Sequence, residues 1–262
     1  KKNYLRDGVF TIISGAIMLG ILSIFAVIFV VPFVEEWPYR LGFTLDHFTS
    51  VLQDPNLLSV FTNSLFVAFC TAVVGVLMSY GAALITARST LNGKLKSVIE
   101  AIALVINTIP GMVLGIAFLL TFSGTSLQGT FLILIVCDVV HYFSTPYLMV
   151  KNSLSKMNAS WETTAMLMGD SWIKTILRVV TPNAFSTLLE VFSYYFVNAM
   201  VTISAVIFIA GAYTMVITTK IKELQYYNRF NEVFVLSLFI LAVNVIAKYF
   251  FRWLAKRTSR DA

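Results

Sequence analysis

The sequence predicts an all-α integral membrane protein of six transmembrane helices with both termini on the cytoplasmic side. Three observations carry that reading. Of the 262 residues 58% are hydrophobic and 14% aromatic, while only 12% are charged, against about 25% in a soluble globular chain. Too few polar side chains remain to cover a particle in water, whereas a chain dissolved in lipid needs few. The length accommodates roughly six spans of about 20 residues plus loops, which leaves no room for a soluble catalytic domain. Finally, the charges alternate in kind along the chain, as the positive-inside rule requires of a polytopic protein.

Apolar runs of spanning length occur at about 9–34, 60–87, 98–122, 129–150, 183–210 and 232–254, and each is read as one helix. The first follows Lys1, Lys2 and Arg6 and is too long for the h-region of a cleavable signal. Between the first and second spans, 35–59 carries Glu35, Glu36, Arg40, Asp46 and Asp54, whereas 88–97 carries Arg88, Lys94 and Lys96. The third and fourth spans are joined by Ser123 to Gly129, short and uncharged, which predicts antiparallel neighbours. The segment 151–182 before the fifth span has Leu154, Met157, Trp161, Met166, Leu167, Trp172, Ile173, Ile176 and Leu177 at helical spacing. It reads as a half-apolar cytoplasmic loop that meets another protein. With the N-terminus inside, fifteen Lys and Arg residues fall on the cytoplasmic side, Lys1, Lys2 and Arg260 among them, and only Arg40, Lys220, Lys222 and Arg229 outside. All of 1–262 is read as a single transmembrane domain.

A net charge of +6 would point to nucleic acid in a soluble protein, but here the charges mark topology and no nucleic-acid partner is expected. Cys70 and Cys137 both lie in apolar runs and are expected to be packing residues rather than disulfide or metal ligands.

Two groups of polar residues inside the spans are candidates for function. Glu190, Tyr194, Asn198 and Thr202 are four apart in the fifth span and form one stripe. A carboxylate and an amide in hydrocarbon must face protein or water, so the stripe either lines a translocation pathway or joins helices by hydrogen bonds. Asp138 and His141 in the fourth span share a face, one turn before Pro146. Metal binding or a proton relay is conceivable there, but two ligands make a poor site, and a polar pair packed against the fifth span is the expected arrangement.

Within 151–182 the sequence reads Trp161-Glu162-Thr163-Thr164-Ala165-Met166-Leu167-Met168-Gly169-Asp170, with Pro182 thirteen residues after Gly169. This resembles the EAA loop of permease subunits of binding-protein-dependent ABC importers, where a Gly and a Pro at that spacing enclose a short coupling helix. Thr163 and Thr164 occupy the Glu and first Ala positions of the pattern, and Glu162 comes one residue early. Asn63-Ser64-Leu65 and Pro110-Gly111-Met112-Val113-Leu114-Gly115 resemble further segments of these permeases, although small residues four apart are by themselves a packing signal. Trp37-Pro38-Tyr39, Thr44 to His47 and Leu189 to Val206 are similar to 2-aminoethylphosphonate permeases, often two fused six-span halves and related to ferric-iron, polyamine and thiamine permeases.

The resemblance implies the type I ABC importer permease fold in the bacterial cytoplasmic membrane, in a chain that is no enzyme and holds no cofactor. Two cytoplasmic ATPase subunits would bind ATP and Mg and dock on Glu162 to Ala165, Gly169, Asp170 and Pro182. A second permease half, identical or homologous, and an extracytoplasmic solute-binding protein would complete the complex. The implied cargo is 2-aminoethylphosphonate or a related phosphonate, with ferric iron, polyamine or thiamine as alternatives. Charge does not choose, because the acidic 35–54 segment suits a cation and Lys220, Lys222 and Arg229 an anion. A stand-alone secondary carrier would show an internal repeat and broken helices, and a membrane-embedded enzyme a convergent catalytic set; neither is expected here.

Overall fold

The computed structural model describes residues 3–258; Lys1, Lys2 and Arg260 lie outside them. Among the described residues four helices are long and apolar enough to cross a membrane: Tyr4–Phe33, Pro55–Arg88, Trp172–Val201 and Phe230–Thr258. The first contains helix α1, Tyr4–Val30. It is followed by an antiparallel hairpin of β1, Val34–Glu36, and β2, Arg40–Phe43, and by α2, Asp46–Gln53. The second long helix is α3, Pro55–Arg88.

The third and fourth expected spans are each broken. Helix α4, Gly93–Ile106, meets α5, Gly111–Phe122, at 108°, and α6, Phe131–His141, meets α7, Ser144–Lys156, at 57°. Each bent pair passes the composition test for one span, so the count lies between four and six. Proline explains both breaks. Pro110 has no N–H to continue a helix and forces the residue before it away from the helical region. The Pro146 ring would clash with the carbonyl of Tyr142, so α7 starts afresh with Pro146 in its first turn. The expectation of unbroken spans is therefore corrected, and their integrity no longer argues against a secondary carrier.

After α7 come α8, Ser160–Leu167, and α9, Trp172–Thr175, which continues through a π-helical stretch, Ile176–Val180, into α10, Thr181–Val201. The fifth span was expected to run to 210, but α10 stops at Val201. The Asn198 amide donates to the Tyr194 carbonyl at 2.7 Å, and the Thr202 hydroxyl lies 2.7 Å from the Asn198 carbonyl. Such side-chain bonds compete with the helical ladder. The Thr202 carbonyl left over accepts the buried Thr218 hydroxyl at 2.6 Å. A 3-10 turn, Val206–Phe208, leads on to α11, Ile217–Tyr226, and α12, Phe230–Thr258.

The chain divides into two units, one of 3–58 with 221–241 and one of 59–220 with 242–258. In the first, Phe33 stacks on Phe43 and Phe48, and His47 Nε2 lies 3.0 Å from the Val34 carbonyl. The second has two buried clusters. One joins Ala83, Tyr147, Leu154, Val180, Val191 and Tyr195 from α3, α7 and α10 with the π-helical stretch. The other joins Leu114, Ile133, Leu134 and Cys137 to Ala205 and Val206. Gly115 makes that second packing possible: a Cβ there would sit 2.3 Å from the Ala205 carbonyl oxygen, a backbone atom that cannot move aside. The Cys137 thiol is free and buried in this core, and that of Cys70 is free and half-buried.

Candidate functional site: the α8 loop and the polar face of α10

Helix α8 is short and bounded at both ends by its own sequence. Asn158 Oδ1 accepts the Ser160 N–H at 2.9 Å, capping the N-terminus. At the other end Gly169 has φ +80°. Its N–H donates to the Met166 carbonyl at 3.0 Å and that of Asp170 to the Ala165 carbonyl at 2.9 Å, the paired bonds of a Schellman cap. This explains why a glycine stands at position 169. Asp170 then pairs with Lys174 across one turn, and the exposed Pro182 follows the π-helical stretch inside the continuous helix Trp172–Val201, where the Thr181 N–H bonds back to the Ile176 carbonyl just ahead of the missing donor.

One face of α8 is anchored. The Arg88 guanidinium, at the end of α3, donates to both oxygens of Glu162, Nε to Oε1 at 2.6 Å and Nη2 to Oε2 at 2.7 Å. It also donates to the carbonyls of Met157 and Asn158 at 3.0 Å and of Leu154 at 3.5 Å. The Arg88 side chain is only 4% exposed and that of Glu162 15%. Glu162 is thus engaged inside the chain, pinning α8 to α3. Arg88 went unremarked in the sequence except as a topological charge; its partner is 74 residues away, and only the lone acid early in α8 hinted at a pair. The rest of α8 is open: Thr163 and Thr164 are exposed, Ala165 is half-buried, and Met166, Leu167 and Met168 are 70%, 85% and 79% exposed. Met166, Leu167 and Met168 thus form an exposed apolar patch at the end of α8.

The polar stripe of α10 is brought together with residues of α12. Glu190, Ser193, Tyr194 and Asn198 line a cavity of about 460 Å³ with Met149, Val197, Lys248 and Arg252. A second cavity, of about 140 Å³, lies where the two broken spans meet, lined by Asn107, His141, Tyr142, Thr145 and Tyr194 with Ile106 and Ile109. Thr202, assigned to the same stripe, is buried; its hydroxyl bridges the Asn198 carbonyl and the Tyr142 hydroxyl, 2.7 Å from each, and lines neither cavity. Asp138 is also placed elsewhere than expected. It is 1% exposed in the core, neither carboxylate oxygen has a hydrogen-bond partner, and it lines neither cavity. The expected pair with His141 is not formed, because α6 ends at His141 and that ring turns to Tyr142, centroids 4.6 Å apart.

Comparison with known proteins fits this architecture. Solved chains of a bacterial ABC transporter involved in the import of alginate align over 97% of this chain and 97% of theirs, with a TM-score of 0.76 at 15% identity. The methionine ABC transporter MetNI in an inward-facing conformation aligns over 80% of this chain and 99% of its own, with a TM-score of 0.60 at 16% identity. At such identities the likeness is one of fold. By sequence, the chain is 25% identical over 256 residues to the ferric transport system permease protein of Actinobacillus pleuropneumoniae, 92% of this chain and 36% of that one. It is 29% identical over 212 residues to a putative ferric transport system permease protein of Haemophilus influenzae, 77% of this chain and 32% of that one. A molybdate/tungstate transport system permease protein of Pyrococcus furiosus matches at 23% over 220 residues, 82% of this chain and 85% of that one. The chain thus spans about a third of the length of the two ferric permeases. The model of the family described as binding-protein-dependent transport system inner membrane component matches residues 79–260, more than half of the sequence and all of the α8 to α10 region. This chain belongs to that family of inner membrane components of binding-protein-dependent transport systems.

Proposed function

We propose that this chain is one permease half of an ATP-driven importer of a small inorganic ion. The observation that carries the reading is the α8 knob, held from within by Arg88 and Glu162 and presenting Met166, Leu167 and Met168 outward. A rigid apolar knob on the basic side of the spans is what an ATPase subunit needs in order to transmit its motion. ATP and Mg belong to two such subunits. A second permease half covers the polar face, and a binding protein delivers the cargo outside. Both termini and the α8 loop face the cytoplasm, as the distribution of Lys and Arg demands.

The relatives named above are permeases for ferric iron and for molybdate or tungstate. They give the phosphonate expectation no support and favour its ferric-iron alternative or a metal oxyanion.

The mid-span polar face supports a route across this half. Asn107, Thr145 and Glu190 are exposed there, and lipid would not tolerate them. Thiol labelling in sealed cells tests route and orientation together, in a chain freed of Cys70 and Cys137. Cysteines at 40 and 125 are expected to react from outside only, and cysteines at 92 and 158 from inside only. A cysteine at Asn198 is expected to react with small aqueous reagents at a rate that changes when ATP is trapped, while one at Met200, which is 1% exposed, stays inert. Labelling of position 92 from outside, or an inert 198 in every nucleotide state, contradicts the assignment.

A further inference from the structure

Tyr194 lines both cavities, and the two differ in chemistry. The larger holds three ionic side chains, Glu190, Lys248 and Arg252, none of which has an ion pair or hydrogen bond among the described residues. Two cations against one carboxylate leave it positive. The smaller has no ionised acid in its lining. It offers the Asn107 amide, the His141 imidazole and the Thr145 and Tyr194 hydroxyls, neutral groups that can each donate a hydrogen bond. Neither the Thr145 nor the Tyr194 hydroxyl has a partner among the described residues. The smaller cavity's volume of about 140 Å³ has room for several water-sized atoms.

We infer that the small cavity is a dehydrating station for a tetrahedral oxyanion of the molybdate, tungstate or sulfate class, and that the Tyr194 ring closes it from the positive cavity beyond. This rests on the permease reading and adds the cargo class to it. The cavity has room for the four oxygens and central atom of such an anion. Neutral donors suit an anion stripped of water, because each anion oxygen then gains a charge-assisted hydrogen bond without an ion pair strong enough to trap it. A ferric ion asks for the opposite: hard anionic oxygen ligands converging on one point. No group of three or more His, Cys, Asp or Glu side chains among the described residues is placed to hold a metal ion. Lys248 and Arg252, on the far side of Tyr194, then draw the anion onward. The ring itself is held edge-on between Tyr142 and Tyr195, with centroids 6.3 and 6.4 Å away, so a rotation about its side-chain bonds joins or separates the cavities.

The test uses the complete complex with its ATPase and binding protein in proteoliposomes, with labelled molybdate and ferric citrate as probes. Tyr194→Phe and Thr145→Val, each nearly isosteric, are expected to lower molybdate uptake at least tenfold together while ATP hydrolysis continues. Tyr194→Ala is expected to admit molybdate without ATP. Molybdate uptake unchanged in the double variant overturns the station, and a tight Tyr194→Ala variant overturns the gate. A wild-type complex that takes up ferric iron and no molybdate also overturns the inference but leaves the import reading standing. A complex that takes up neither ion on ATP addition removes that reading itself.

Discussion

Arg88→Ala is expected to abolish coupling of ATP hydrolysis to transport. The substitution removes the two Arg88 donors from Glu162 and one Arg88 donor from each of three carbonyls, of which Leu154 keeps the Met157 N–H. Breaking a largely buried ion pair by removing one partner costs about 3–5 kcal/mol, since the remaining charge is left uncompensated. The cost falls on the junction of α3 with α8 and not on the spans. The chain should therefore insert, while binding-protein-stimulated ATP hydrolysis falls by at least about tenfold. Arg88→Lys should recover only part of it, because an ammonium is a point charge that cannot bridge both carboxylate oxygens and still reach the Met157 and Asn158 carbonyls. Stimulated hydrolysis at the wild-type rate in Arg88→Ala would show that the clamp does not position the knob.

Gly169→Pro is expected to have a similarly large effect by another route. Proline fixes φ near −65°, whereas Gly169 has +80° and donates its N–H to Met166. Neither the left-handed backbone nor the bond survives, so the turn between α8 and α9 must be rebuilt. Gly169→Ala keeps the N–H and meets only the left-handed penalty, about 1–2 kcal/mol; nothing crowds its Cβ. The expected order of stimulated ATP hydrolysis is wild type, Gly169→Ala, Gly169→Pro, with membrane insertion unchanged. Full stimulation in Gly169→Pro would remove the turn from the coupling path.

How much of this was legible in the sequence depends on the range over which each feature is written. The spans are local sums of hydropathy, and a window of 20 residues finds them. The Gly169 to Pro182 spacing is also local, because a Schellman cap and a proline each state a backbone requirement in one residue. The breaks are hidden because hydropathy averages over them: Asn107 to Pro110 is four residues in an apolar run, Pro110 opens a motif of small residues, and Pro146 follows the Asp138 and His141 face within another apolar run. The end of α10 at Val201 escaped because the carbonyl it frees is satisfied by Thr218, sixteen residues on. At the candidate site, Glu190, Tyr194 and Asn198 were found by their period of four, which places them on one face whatever surrounds them. Thr202 fits the same period but lies just past the helix end. Arg88, Lys248 and Arg252 were missed because a terminal basic residue looks the same whether it snorkels, clamps or lines a cavity. Asp138 and His141 were linked by spacing alone, and the helix end between them and Tyr142 undid the link.

In the proposed importer α8 is the point where this chain meets an ATPase subunit. Leu167, 85% exposed at the tip of the knob, reports on it directly. In a chain freed of Cys70 and Cys137, Leu167→Cys is expected to cross-link to a copurifying ATPase subunit through a short bifunctional reagent. A cysteine at Thr125, in the turn between α5 and α6, should give no such product. The account is contradicted if Leu167→Cys stays accessible and uncross-linked in a complex that hydrolyses ATP at the wild-type rate.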